Sequence, residues 1–349
     1  MVHDQVHRWL VHRSHDGYLL PGGWSSQYRD DVADLRIGGD DQSCRPGDGW
    51  KMGSQGSAAG SSLKIMNSTG GLLIGLTLLL FAGPVLSETG DTLVKSNVSY
   101  KSVTELGFNK ANEKLVYGEE NPELQYGLLW LPKKPAAEGG VPLIVLIHGG
   151  CWLNAFDIRH SYPLSSALAQ AGYGVWSLEY RRTGDEGGGW PGSYEDIKQG
   201  LAYTSMLKDF PVDLDRMVIM GHSAGGHLAL LAAAENQDID AVIGLAAITD
   251  IVEYSRGSNS CQTATIDFMG GVYEAIPASY QAANPASMPV HEKTLLLQGD
   301  IDTIVPFEQS ELSGATPLLL EGAGHFDWVH PDTGAYQLLL STLEDLFRD

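Results

Sequence analysis

The sequence predicts an α/β protein with a mostly parallel central sheet and helices on both faces. Two observations carry that prediction. From Glu88 onward, short apolar runs alternate with longer helix-like runs, and strands separated by helices pair in parallel and need cover on both faces. One junction is also diagnostic. Met217-Val218-Ile219-Met220 reads as a buried strand, Gly226-His227-Leu228-Ala229-Leu230-Leu231-Ala232-Ala233-Ala234 as a helix start, and Gly221-His222-Ser223-Ala224-Gly225 lies between them. A G-x-S-x-G turn between strand and helix exposes a strained serine at the edge of such a sheet. Residues 88–349, about 260 in number, suit a single domain of this kind.

The elements follow in order. Residues 124–132 read as an early strand closed by Pro132, 141–147 as a buried strand and 160–171 as a helix. Residues 173–180 read as a strand, 193–207 as a helix, 217–220 as the strand before the turn and 224–234 as the helix after it. Residues 241–248 form a further strand, 249–291 show no period, and 294–298 are again a strand. A short helix over 307–312, a last strand over 316–320 and a closing helix over 333–347 complete the chain.

Ahead of this domain the composition changes. Residues 1–63 mix His, Asp, Arg, Gly and Ser without period and end in a Gly/Ser-rich run; they read as upstream or disordered sequence. Residues 64–87 hold a short apolar core, Gly71 to Ala82, then Gly83-Pro84 and small residues before Glu88, the pattern of a signal peptide. Targeting reads the extreme N-terminus, so the true start is expected at or near Met66, and the mature chain is expected in the periplasm or outside the cell. A signal anchor or buried helix is the alternative. The apolar run is short of the roughly 20 residues that span a bilayer, and no cysteine follows it, so no stable membrane anchor is expected.

Composition excludes other classes. A net charge of −21 without any Lys/Arg-rich run argues against nucleic acid, which binds through basic patches. Three cysteines without a C-x-x-C or His/Cys cluster give no metal site, and no cofactor is expected.

A serine hydroxyl needs a base and a group that orients the base. Two loops follow strands downstream of Ser223: Asp300-Ile301-Asp302-Thr303-Ile304-Val305-Pro306 and Gly322-Ala323-Gly324-His325. Open α/β sheets place their sites at these strand ends. His325 is the candidate base and Asp302 the candidate acid. Asp300 is the rival that follows the strand too soon and better caps a turn, and Asp250 is a distant third. Leu146-Ile147-His148-Gly149-Gly150 ends a strand in a turn able to aim backbone amides at a developing oxyanion. The amides of Gly150, Cys151 and Ala224 are assigned to that role.

Taken together, His148-Gly149-Gly150-Cys151-Trp152, Glu179-Tyr180-Arg181-Arg182, Gly187-Gly188-Gly189-Trp190-Pro191, Glu195-Asp196-Ile197, Gly221 to Leu228, Gly299-x-x-Asp302-x-x-Val305-Pro306 and Gly324-His325 resemble bacterial α/β-hydrolases of the esterase/lipase, feruloyl-esterase-like group. That group is similar to kynurenine formamidase and to prolyl-oligopeptidase-type catalytic domains. The resemblance spans about residues 95–349 and implies a serine hydrolase of carboxylic esters, with a small-molecule ester or amide as substrate. An arylformamidase or small peptidase is the alternative, and a binding protein that reuses the fold is a third reading, which the presence of Ser223, Asp302 and His325 disfavours. Trp152 and Trp190 are candidate substrate contacts, with Trp328 and Tyr254 beside them, and favour short-chain or aryl esters. Cys151 and Cys261, both in loops after strands, are candidates for a disulfide; free thiols are the alternative.

Overall fold

The computed structural model describes residues 95–134, 139–236 and 239–348. The expected upstream segment 1–63 and signal peptide 64–87 lie outside the described residues. Among the described residues no helix is long and apolar enough to cross a membrane.

Eight strands build one sheet: β1 (Glu113–Val116), β2 (Tyr126–Trp130), β3 (Val141–Ile147), β4 (Gly174–Leu178), β5 (Val212–His222), β6 (Ala241–Leu245), β7 (Thr294–Gly299) and β8 (Thr316–Leu320). Their order is β1-β2-β4-β3-β5-β6-β7-β8. Only β2 runs against its neighbours, and from β4 to β8 every pairing is parallel. The helices are α1 (Tyr100–Thr104), α2 (Tyr162–Ala171), α3 (Gly192–Ala202), α4 (Ala224–Glu235), α5 (Ile251–Tyr254), α6 (Ser260–Met269), α7 (Pro277–Ala282) and α8 (Gly334–Leu346).

Strand side chains alternate between faces, and β3 shows where each half goes. Leu143, Val145 and Ile147 join Ile197 of α3 and Leu228 of α4 in one core. Ile144 and Leu146 join Leu164 of α2 and Leu339 of α8 in the other. Burial on both faces is why these strands read as unbroken apolar runs. Because the strands are parallel, the ends of β3, β5, β7 and β8 share one edge, where the candidate loops emerge.

The structure departs from the sequence reading in definite places. Segment 249–291 is not irregular: it holds α5, α6 and α7. They are short and set by their caps. Asp250 accepts the amides of Val252 and Glu253, and Asn259 forms a capping box with Gln262. The expected helix over 193–207 stops at Ala202 and continues as a 3₁₀ turn, Tyr203–Asp209. The strand before Ser223 is longer than its apolar core, with a register shift between Pro142 and Leu143 of its neighbour.

One buried carboxylate fastens the start of the described chain to the turn after β8. Asp327 accepts the amides of Asn97 (2.7 Å), Val98 (2.7 Å) and Gly324 (2.8 Å). Hydrogen bonds to a carboxylate are the strong ones, and removing it leaves three amides to find other partners. Asp327→Ala is therefore expected to lower stability by about 3 kcal/mol in urea unfolding. A loss under about 0.5 kcal/mol would show that this tether carries no stability.

Candidate active site

Ser223 lies between β5 and α4 with φ 56° and ψ −121°, a backbone conformation that costs a non-glycine residue on the order of 1–3 kcal/mol. Its own amide donates to Leu245 O at 2.9 Å, which ties the turn to β6. The flanking glycines are required by close approach. A Cβ on Gly221 would stand 2.2 Å from Gly225 O, and one on Gly225 would stand 2.2 Å from Ile147 O. No side chain fits at either point. The helix begins at Ala224, whose amide is among the first N–H groups of α4 and has no intrahelical acceptor.

His325 and Asp302 meet although 23 residues apart: His325 Nδ1 stands 2.7 Å from Asp302 Oδ2. The Asp302 side chain is buried, and its other oxygen accepts the amides of Ile304 (2.8 Å) and Val305 (2.9 Å). An acceptor so held orients the His325 ring, and in the neutral tautomer that bonds it the proton sits on Nδ1 and the lone pair on Nε2. Asp300 instead accepts the Gly322 amide at 2.6 Å and stays exposed, a turn residue. Among the described residues, no hydrogen bond joins Ser223 Oγ to His325. That link commonly tightens only when substrate binds.

The loop after β3 approaches the same serine, since a Cβ on Gly149 would lie 3.0 Å from Ser223 Cβ. Its peptides are oriented by their carbonyls. Gly149 O lies 2.8 Å from His148 Nδ1, and Gly150 O accepts Leu153 N at 2.9 Å. In a trans peptide the N–H points opposite the C=O, so the amides of Gly150 and Cys151 face away from those bonds. Among the described residues, neither amide donates to a protein acceptor. Cys151 and Trp152 have φ of 53° and 57°. Two consecutive left-handed residues need anchors, and both have them. Cys151 is joined by a disulfide to Cys261 of α6, with Cα atoms 5.0 Å apart, and Trp152 O accepts Thr183 N at 2.8 Å.

Beneath the loop lies a buried polar hub that sequence reasoning missed. Glu179 Oε1 stands 3.0 Å from His148 Nε2 and 3.3 Å from Arg182 Nη1, and Oε2 accepts the Ile158 amide at 3.1 Å. Tyr180 Oη donates to His148 O at 2.9 Å. Burial alone would raise the Glu179 carboxyl. His148, Arg182 and the Ile158 amide outweigh it and hold the carboxyl below its ordinary range. An acid directly after the buried strand Gly174–Leu178 marks Glu179 as buried but names no partner for it.

Trp152 is a correction. It is buried, stacked on Phe268 of α6 with ring centroids 4.7 Å apart, and belongs to the core rather than to a substrate wall. Its left-handed backbone turns the side chain inward. Trp328 and Tyr254 are buried as well. Trp190 remains part-exposed, stacked on Tyr194 and edge-on to Phe268.

Comparison with known proteins bears on the family and the fold. The BD-FAE family model matches residues 129–315. Esterase LipC of Mycobacterium tuberculosis is 25% identical over 61% of this chain and 59% of its own length. Esterase LipQ of the same organism is 27% identical over 57% of this chain and 53% of its own. The chain thus spans little more than half the length of these relatives. Among solved structures, Esterase B from Lactobacillus Rhamnosis superposes with a TM-score of 0.58 over 71% of this chain and 89% of that one, at 19% identity. At that identity the likeness is one of fold.

Two outcomes follow from the site's anchors. The disulfide closes a loop of 110 residues, so Cys261→Ser is expected to lose about 2–5 kcal/mol of stability and, by freeing the Cys151 turn, to lower kcat for ester hydrolysis by about tenfold. Unchanged melting and kcat would show the bridge to be idle. Acid should also unfold the protein early. Burial holds His160 down to about 3 and His227 down to about 4, and it lowers His222 as well. The unfolded chain protonates these rings below the ordinary value of 6.5 while the folded chain does not. Stability is therefore full above that value and falls as pH drops toward the folded values. His227→Gln should make the fall shallower by about one proton in denaturant titrations. Stability that stays flat from about pH 7 to about pH 4.5 contradicts this.

Proposed function

Because the chain belongs to the BD-FAE family of α/β-hydrolases, we propose that it is a serine carboxylesterase acting through a Ser223–His325–Asp302 triad and an acyl-enzyme. The observation that carries the reading is the strained Ser223 at the strand end that shares an edge with the bonded His325–Asp302 pair. The names of the mycobacterial relatives support ester hydrolysis.

In this reading His325 Nε2 removes the Ser223 proton as Oγ attacks the ester carbonyl, while Asp302 stabilises the imidazolium without taking its proton. The oxyanion settles against the amides of Gly150, Cys151 and Ala224. One such donor is worth about 3–4 kcal/mol of barrier. His325 then protonates the departing alcohol, and water attacks the acyl-enzyme with His325 again as base. The part-exposed Trp190 supports a compact acyl or aryl group in the substrate, and the leader pattern supports an exported enzyme.

Ser223→Ala and His325→Ala should each lower kcat on p-nitrophenyl esters by on the order of 10⁴ to 10⁶. Asp302→Asn should cost as much or less, and Asp300→Asn little. In a chain-length series, C2 to C4 and aryl esters should be turned over faster than esters of about twelve carbons or more, and Trp190→Ala should raise KM for aryl esters. A crippling Asp300→Asn would reassign the acid. A rate that climbs with acyl length and jumps at a lipid interface would mean a lipase, and faster turnover of N-formylkynurenine than of any ester would mean a formamidase.

A further inference from the structure

His222 is a buried titratable group that the proposed chemistry leaves without a task. It ends β5, directly before Ser223, and its side chain meets two other segments of the site. Its Nε2 stands 2.9 Å from the backbone oxygen of His325, a residue 103 positions away. Its ring centre is 4.6 Å from that of His325 and 6.1 Å from that of Phe326. A Cβ on Gly149 would fall 3.1 Å from His222 Nδ1 and 2.7 Å from the His222 carbonyl oxygen, so the loop after β3 lies against it too. One side chain therefore contacts the base and the oxyanion loop while its backbone carries the nucleophile.

We propose that His222 is a positioning residue, clamping the His325 backbone to the nucleophile turn through Nε2–H and presenting a neutral ring to the base. This rests on the triad reading and deepens it. A carbonyl oxygen only accepts, so Nε2 carries the proton. Among the described residues Nδ1 is buried without a hydrogen-bond partner, and an orphaned buried N–H is rarer than an orphaned acceptor. The groups that face the ring give no reason to charge it: His325 from the loop after β8, His160 from the 3₁₀ turn Ile158–Ser161 and His148 from the end of β3. The carboxylates one contact further out are bonded to those neighbours, Asp302 to His325 Nδ1 and Glu179 to His148 Nε2. Burial first, and then these neighbouring histidines, hold His222 well below its ordinary range.

The consequence concerns His325. Asp302 fixes its ring at Nδ1 and His222 fixes its backbone at the carbonyl, which together set where Nε2 points. A cationic neighbour 4.6 Å away would resist the imidazolium that base catalysis requires. A neutral one does not.

The test compares His222→Leu, which fills space without a donor, with His222→Gln, whose amide can reach the same carbonyl. With active sites counted by a phosphonate titrant, His222→Leu should lose about 10- to 100-fold in kcat on p-nitrophenyl acetate with KM within about threefold. It should also displace the acid limb of kcat/KM and broaden or shift the low-field Nδ1–H proton resonance of His325. His222→Gln should recover most of both. A Leu variant with wild-type kcat and resonance overturns the proposal. So does a loss of kcat with the resonance and acid limb unmoved, which is plain packing. Nitrogen NMR of the unmutated protein decides independently of variant folding and of ester turnover: His222 should remain the neutral Nε2–H tautomer from about pH 8 to about pH 5. A His222 that titrates in that window, or that carries its proton on Nδ1, refutes the clamp. A wild-type protein that hydrolyses no ester would sink the esterase reading while leaving this spectroscopic result to stand or fall by itself.

Discussion

The ends of β3 and β5 approach so closely that nothing larger than hydrogen fits at the contact points, and the site follows from that constraint. Gly225 lies against the carbonyls of Ile147 and His148, and Gly149 lies against the carbonyl of His222. The approach brings the turn carrying Ser223 against the loop carrying Gly150 and Cys151. It also forces the positive φ of Ser223, because strand and helix must reverse within one residue. Parallel pairing of β5 with β6 and of β6 with β7 then carries the acid loop to the same edge.

Close packing alone does not set the direction of an amide. That is done by bonds arriving from elsewhere in the chain. Glu179 gathers His148, Arg182 and the Ile158 amide, the disulfide ties Cys151 to α6, and Trp152 is driven into the core against Phe268. The polar hub and the apolar anchor act on successive residues of one loop. Buried ionic groups are retained at a desolvation cost, and here the cost secures an orientation that the strained backbone would otherwise abandon. The same economy shows at Asp302, where two backbone amides and His325 share one carboxylate.

What could be read from sequence was local. Ser223 stands in a motif whose strand, turn and helix are contiguous, and the central strands β3 and β6 are unbroken apolar runs. Asp302 was preferred to Asp300 on loop position together with the family pattern, and Asp300 does bond the Gly322 amide. Glu179 and His222 carried no legible role, since their partners come from 31 and 103 residues away. Trp152 was misread for a related reason. Adjacency to the loop after β3 does not reveal that the left-handed backbone of Cys151 and Trp152 turns the indole inward. The helices within 249–291 escaped because they depend on caps rather than on a period.

The central claim is that Ser223 is a nucleophile activated by His325. Covalent labelling tests it most directly. A fluorophosphonate probe should add once per chain, at Ser223 by peptide mapping, with a rate that collapses in His325→Ala. Modification at any other residue, or labelling of Ser223 that is unchanged without His325, would contradict the account.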